Sequence, residues 1–348
     1  MGTVTRPLIL TLNEGSSSIK FALFAAEQGV PEIAADSVET GTDDGALFDR
    51  IHAVMAGGTL ATIGHRIVHG GPALAKPVVI DAAVLAQLHA ATAFAPLHNP
   101  AALALIAAAA KRHPGVPQVA CFDTGFHASL PDIAAVLPIP RSLRAQGVRR
   151  YGFHGLSCQS IVHQLGGEVP ERLIIAHLGN GASVTAVRAG QSVDTSMGLT
   201  PSAGVVMGTR AGDLDPGFLL YLMREHGLDA TAIEDVIDRQ SGMLGISGIS
   251  GDLRLLRASS SPDAALAIAM FCRSVAKQVA GMAVVLGGVD LLVFTGGIGE
   301  HDPGVREQIT AELTGAGLSP FDVAILPSRE NEQMARGARA LLAAVPAK

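Results

Sequence analysis

Three observations predict an α/β protein of two domains. At 348 residues the chain exceeds one ordinary domain and fits two. Hydrophobic residues make up 48% and charged residues 16%, which allows a large buried interior. Strand-like and helix-like segments alternate along the chain, the pattern of α/β architecture.

Residues 8–12 and 19–24 are apolar runs on either side of the polar, glycine-containing stretch 13–18, which reads as a β-hairpin. Asn99-Pro100 starts a helix that continues through 101–111 until Pro114 stops it. Residues 118–122 form a short strand ending at Asp123, and 149–158 read as a loop rich in aromatic and basic residues. A second hairpin joins 174–178 to 183–188 around 179–182. The glycine-studded stretch 197–217 reads as a long functional loop, after which Asp215-Pro216 caps the next helix. Residues 290–295 are a buried strand running into Gly296, and the tail from Glu330 is helix-like. The longest apolar runs, 101–110 and 264–286, read as buried helices. The first is too short to span a bilayer and the second carries Arg273 and Lys277 mid-run. Asn13 and Ser16 in the first hairpin echo Asn180 and Ser183 in the second, which points to a duplicated domain. Chance supplies such pairs readily, so the spacing alone does not decide it.

The net charge of −6, with no Lys/Arg stripe, disfavours nucleic acid as a partner. Cys121, Cys158 and Cys272 are scattered, which argues against a disulfide framework or zinc site and for a reducing cytoplasm. No signal-peptide pattern opens the sequence, and no membrane association is expected.

Several segments carry chemistry. Asn13-Glu-Gly-Ser-Ser-Ser-Ile-Lys20 combines a glycine turn, hydroxyls and a lysine, the ingredients of a phosphate cradle. It lacks Walker A spacing, and an ordinary polar turn would look the same. His177-Leu-Gly-Asn-Gly181 brackets Asn180 with glycines, so backbone can approach a phosphate there. In the cluster 296–299 the third glycine of a dinucleotide fingerprint would fall on Asp302, so a glycine wall against an adenine fits better. Arg66 and Arg210 both sit in glycine-flanked segments, where a cleft arginine would need an anionic partner. His65 and His69 stand four apart on a strand with no third ligand nearby, which argues against zinc. Asp123 ends its strand, a position that aims a side chain into a cleft in α/β folds. Glu332 reads either as a magnesium carboxylate or as an acid near a helix N-terminus.

Taken in order, these segments resemble the acetate kinase family. The Asn-x-Gly-Ser-Ser-Ser-x-Lys turn, GHRIVHGG, APLHNP, FDTGFH, RYGFHGLS, HLGNGASV, VDTSMGLTP, MGTRAGDLDP, SGISGDLR and FTGGIGE run from residue 13 to about residue 300, with Asn331-Glu332 as a weaker match in the tail. The resemblance implies a duplicated actin/sugar-kinase-like (ribonuclease H-like) fold with ATP between two α/β domains. These would comprise residues 1–124 with 333–348, and 125–332. It implies phosphoryl transfer from ATP to acetate, with propionate or another short-chain carboxylate as the alternative acceptor. A non-catalytic actin-fold ATP-binding protein is the more distant alternative. A homodimer is implied as well.

On residue roles the resemblance implies Arg66, Arg210, His154 and Asp123 as the catalytic set, and Val68, Leu97, Phe153 and Pro201 packed on the methyl group beside Arg66. Ser16, Ser18 and Lys20 would meet phosphates, as would His177, Leu178, Gly179, Asn180 and Gly181. Asp252, Leu253, Arg254, Gly297, Ile298, Gly299, Glu300 and His301 would surround ribose and adenine. Asn13 and Glu332 would hold Mg2+ or Mn2+. Glu14, Cys158, His301 and Gln333 depart from the family pattern, and the chain is shorter than typical members. A carboxylate acceptor, with a pKa of about 4.3, needs no general base at neutral pH. Asp123 is therefore expected to orient a metal or a donor, not to move a proton.

Overall fold

The structure is a computed structural model that describes residues 6–15, 18–55 and 57–344. It falls into two compact units. The first comprises Met1–Phe126, Gly155–Ser160 and Arg329–Lys348, and the second His127–His154 and Ile161–Ser328.

The first unit holds strands β1 (Pro7–Glu14), β2 (Ser18–Ala25), β3 (Glu32–Glu39), β4 (Thr59–Ile67), β5 (Val78–Val79) and β6 (Gln118–Phe122), in the order β3-β2-β1-β4-β6-β5. β1, β2 and β3 form an antiparallel meander, while β1, β4 and β6 are parallel. Successive residues of a strand face opposite sides, so β1 splits its apolar side chains between two layers. Leu8, Leu10 and Leu12 pack with Leu47, Phe48 and Ile51 of helix Asp44–Val54 and Leu105 of helix Asn99–Arg112. Ile9 packs on the other side with Met334, Ala335 and Ala338 of helix Glu330–Ala344. Each fully buried Leu, Ile or Phe contributes about 1.5–3 kcal/mol.

The second unit holds β7 (Arg172–Leu178), β8 (Ala182–Arg188), β9 (Gln191–Thr195), β10 (Leu291–Thr295) and β11 (Asp322–Ile325), in the order β11-β10-β7-β8-β9. Again three strands form an antiparallel meander, and β7, β10 and β11 are parallel. The two sheets thus follow one path, which gives the Asn/Ser echo of the two hairpins a structural counterpart.

Both hairpins, helix Asn99–Arg112 and strand Gln118–Phe122 form where the sequence places them. Asp215 caps helix Pro216–Glu225 by accepting a hydrogen bond from Gly217 N at 2.9 Å. Two expectations change. The segment 149–158 is a loop only as far as His154, because helix Gly155–Leu165 takes up the rest. The long apolar run becomes helix Pro262–Leu286, buried along one stripe through Phe271, Val275, Val279 and Leu286. Its opposite side exposes Arg273 and Lys277 together with Leu266, Met270 and Val284, so the helix is amphipathic and not buried all round.

Candidate active site

β1, β4 and β6 run parallel, so their C-terminal ends lie side by side and release Asn13, Arg66 and Asp123 at one edge. Arg66 Nε and Nη2 both donate to Asp123 Oδ2, at 2.9 and 2.6 Å. Arg66 Nη1 donates to Asn13 Oδ1 at 3.3 Å and to the Glu14 carbonyl at 3.1 Å. Asn13 Nδ2 in turn donates to Glu330 Oε2 at 2.9 Å. Asn13 and Asp123 are buried, and the Arg66 side chain is only 16% exposed. Asp123 Oδ1 is buried with no hydrogen-bond partner among the described residues.

Burial works against the Arg66 charge, but the Asp123 and Glu330 carboxylates outweigh it and raise the guanidinium above its ordinary value. Burial also raises the Asp123 carboxyl, opposed by Arg66 and assisted by Glu330. The two shifts pull opposite ways on the pair. Two N–H donors on a single carboxyl oxygen are the geometry of an ion pair, with Asp123 a weaker acid than an exposed aspartate.

The carboxylate that reaches Asn13 is Glu330, not Glu332, the residue expected beside it as a metal ligand. Glu332 instead pairs with Arg336 at 2.5 Å and Arg329 at 3.5 Å. The reason is helical phase. Met334 and Ala338, four and eight residues after Glu330, are fully buried with the sheet residues Ile9 and Cys121. Glu330 therefore lies on the sheet-facing stripe, and Glu332 lies about 200° around the helix from it. That 330/334/338 spacing was the signal in the sequence that pointed to Glu330.

Lys20 stands beside Asn13 in the β1–β2 register and is exposed, Ser18 opens β2, and Ser16 lies outside the described residues. Val68 is buried just past β4, and Leu97 is half-buried in the turn before helix Asn99–Arg112. His65 and His69 have separate partners: His65 Nε2 lies 2.6 Å from Gln118 Oε1, and His69 Nδ1 accepts from Gly71 N at 2.9 Å.

In the second unit the β7–β8 turn is closed by Gly179 N donating to the Gly181 carbonyl at 3.0 Å. His177, near the end of β7, stacks on His154 with ring centres 4.2 Å apart. His154 Nδ1 lies 3.0 Å from Ser183 Oγ on β8, and its φ of 58° is a left-handed conformation that few non-glycine residues adopt. Arg210 Nη1 donates to the Pro201 carbonyl at 3.2 Å. A Cβ on Gly181 would lie 3.3 Å from both Arg210 Nη1 and His154 Nε2, so the two side chains converge on this glycine. The Arg210 loop is pinned through its backbone. Gly208 N donates to Asn180 O at 3.0 Å, and Met243 N and Leu244 N donate to Met207 O and Gly208 O at 2.8 and 2.9 Å.

Phe153 is buried, and its carbonyl accepts from His127 Nε2 at 2.9 Å, while His127 Nδ1 faces Ser192 Oγ at 2.8 Å. Burial depresses His127 to about 4. Pro201 and Leu178 are buried, and Asn180 is exposed. Asp252 caps the short helix Leu253–Arg257 and pairs with the exposed Arg254 at 2.6 Å. Gly297, Ile298, Gly299, Glu300 and His301 lie in helix Gly296–His301, where Glu300 Oε1 accepts from Gly296 N and Ser328 N, each at 2.9 Å.

Solved structures share this architecture. A propionate kinase from Francisella tularensis subsp. tularensis SCHU S4 is 34% identical with a TM-score of 0.87, over 96% of this chain and 99% of that one. An acetate kinase from Porphyromonas gingivalis is 32% identical with a TM-score of 0.84, over 97% and 100% of the two chains. In sequence, an acetate kinase of Rhodopseudomonas palustris (strain ATCC BAA-98 / CGA009) is 42% identical over 348 residues, 90% of this chain and 87% of the relative. Fold and site together define an ATP-dependent kinase with a carboxylate acceptor, built on the duplicated actin/sugar-kinase-like architecture. The acetokinase family description matches residues 45–341, and the chain belongs to that family.

Proposed function

We propose that the protein transfers the γ-phosphoryl group of ATP reversibly to acetate, giving acetyl phosphate and ADP. The observation that carries this reading is the buried Arg66–Asp123 pair tied through Asn13 to Glu330. An acetate carboxylate is already ionised at neutral pH, so catalysis needs positioning and charge stabilisation in place of a base. In this reading Arg66 and Arg210 bind the carboxylate and the migrating phosphoryl group, and His154 donates to the latter. Asp123, with Oδ2 accepting both Arg66 donors, orients that guanidinium. Ser16, Ser18, Lys20 and the backbone of 177–181 meet the phosphates, and Asp252–Arg254 with Gly297–His301 meet the nucleoside. Val68, Leu97, Phe153 and Pro201 pack against the methyl group.

The Asn13 amide and Glu330 carboxylate are hard oxygen donors, and Arg66 carries one positive charge among Asp123 and Glu330. That donor set and charge balance fit Mg2+, or Mn2+, which would offset phosphate charge when bound. Glu330 replaces Glu332 as the proposed carboxylate ligand. The three free, buried cysteines suit a reducing cytoplasm. The exposed Leu220, Tyr221 and Met223 of helix Pro216–Glu225 suit a homodimer contact.

The test is hydroxylamine trapping of acyl phosphate formed from ATP and a panel of one- to four-carbon carboxylates. Acetohydroxamate as the main product is expected. A larger yield from propionate would favour the second reading, which the likeness to the Francisella enzyme motivates. No acyl phosphate from any acid would sink both and leave an ATP-binding protein.

A further inference from the structure

One side chain fixes the segment that follows β4. Asn99, 1% exposed, uses its carboxamide on both backbone groups of His69. Nδ2 donates to the His69 carbonyl at 2.9 Å, and His69 N donates to Asn99 Oδ1 at 3.3 Å. A single amide thus supplies the reciprocal pairing that a neighbouring strand would give. The His69 ring, itself fully buried, stacks on Phe94 with centres 5.0 Å apart and accepts from Gly71 N through Nδ1. On the other side, His98 N and Asn99 N both donate to the Ala95 carbonyl, at 3.1 and 3.0 Å, which closes the turn holding Leu97 onto the same helix start. Val68 therefore sits one residue before one end of this clamp, and Leu97 two residues before the other.

We propose that the Asn99–His69 pair is a positioning clamp that sets the spacing of Val68 and Leu97, and so the length of acyl chain the enzyme accepts. The inference rests on the proposed packing of these two side chains on the acceptor. Asparagine suits the role for a chemical reason. Aspartate can accept from His69 N but cannot donate to its carbonyl, and glutamine would push the segment away by a methylene. A wall moved by a fraction of a methylene is enough, since one methylene in an apolar pocket discriminates by about 10- to 200-fold.

Asn99→Ala and Asn99→Asp test this, each compared with wild type for kcat and KM on acetate, propionate and ATP, alongside thermal unfolding. KM for acetate should rise about tenfold and the propionate-to-acetate ratio of kcat/KM should shift about tenfold, while KM for ATP stays within about twofold. A merely structural asparagine would lower Tm and leave that ratio alone. A wild-type ratio and acetate KM in the folded variants overturns the proposal. If Asn99→Ala does not fold, Asn99→Asp, of equal volume, gives the same reading. Absence of wild-type turnover on any carboxylate would refute the proposed function separately. The clamp is then judged by amide hydrogen exchange at residues 69–71, faster in Asn99→Asp if it holds the segment and unchanged if it does not.

Discussion

The two sheets follow the same strand path and present opposite kinds of chemistry at its ends. In the first unit the tips of β1, β4 and β6 carry charged and amide side chains directly: Asn13, Arg66 and Asp123. In the second, the tips of β7 and β10 run into Gly179, Gly181, Gly296 and Gly297, and the polar side chains arrive from elsewhere. Arg210 comes on a long loop and His154 on the turn before a helix. A carboxylate holds the arginine of the first unit, whereas the arginine of the second donates to a backbone carbonyl. A duplicated scaffold can thus place side-chain charge at the strand tips of one copy and close backbone approach at the strand tips of the other.

This contrast can be broken at several points. Arg210→Ala should have the largest effect, lowering turnover by roughly 10³-fold or more, as removal of an arginine finger does. Near-normal turnover at saturating substrate would remove Arg210 from the catalytic set. Glu330→Gln should raise the Mg2+ concentration needed for half activity by about 10- to 100-fold, while Glu332→Gln stays near wild type. A reversed order would restore Glu332. Asp123→Asn should cost about 10²-fold in turnover by loosening Arg66, with no rescue by imidazole at any pH. Rescue would mean that Asp123 moves a proton.

Each unit also holds a fully buried histidine whose proton affinity burial lowers, His65 in the first and His127 in the second, and there the effect should fall on stability and leave turnover alone. Burial depresses His65 in the first unit and His127 in the second to about 4, from an ordinary 6.5. The unfolded chain therefore binds more protons between those values. Each histidine contributes stability that is present above pH 6.5 and lost as pH falls toward 4, on the order of 3 kcal/mol at most. Asp123, raised in the fold, runs the other way and favours the folded state at low pH. Urea titrations at pH 7 and 4.5 should show a smaller acid loss in His65→Gln and His127→Gln than in wild type. An equal loss would mean that these rings do not govern it.

Much of this was legible because the signals are local. Alternating apolar runs and glycine turns mark both hairpins, and Asn99-Pro100 and Asp215-Pro216 mark helix starts. Strand β3 was not legible because it is a charged edge strand, with Glu32, Asp36 and Glu39 exposed or half-exposed and little apolar periodicity. The segment order and residue types alone carried the family and the candidate set of Arg66, Asp123, His154 and Arg210. Tertiary structure decided which groups meet. Glu330 and Glu332 are equivalent as composition, and only the docking of Met334 and Ala338 turns Glu330 toward Asn13, 317 residues away in sequence. The Asn99–His69 pairing likewise spans 30 residues and follows from helix placement, not from any local pattern. A sequence fixes short-range backbone preferences, while the partners of a buried polar group depend on how the layers pack.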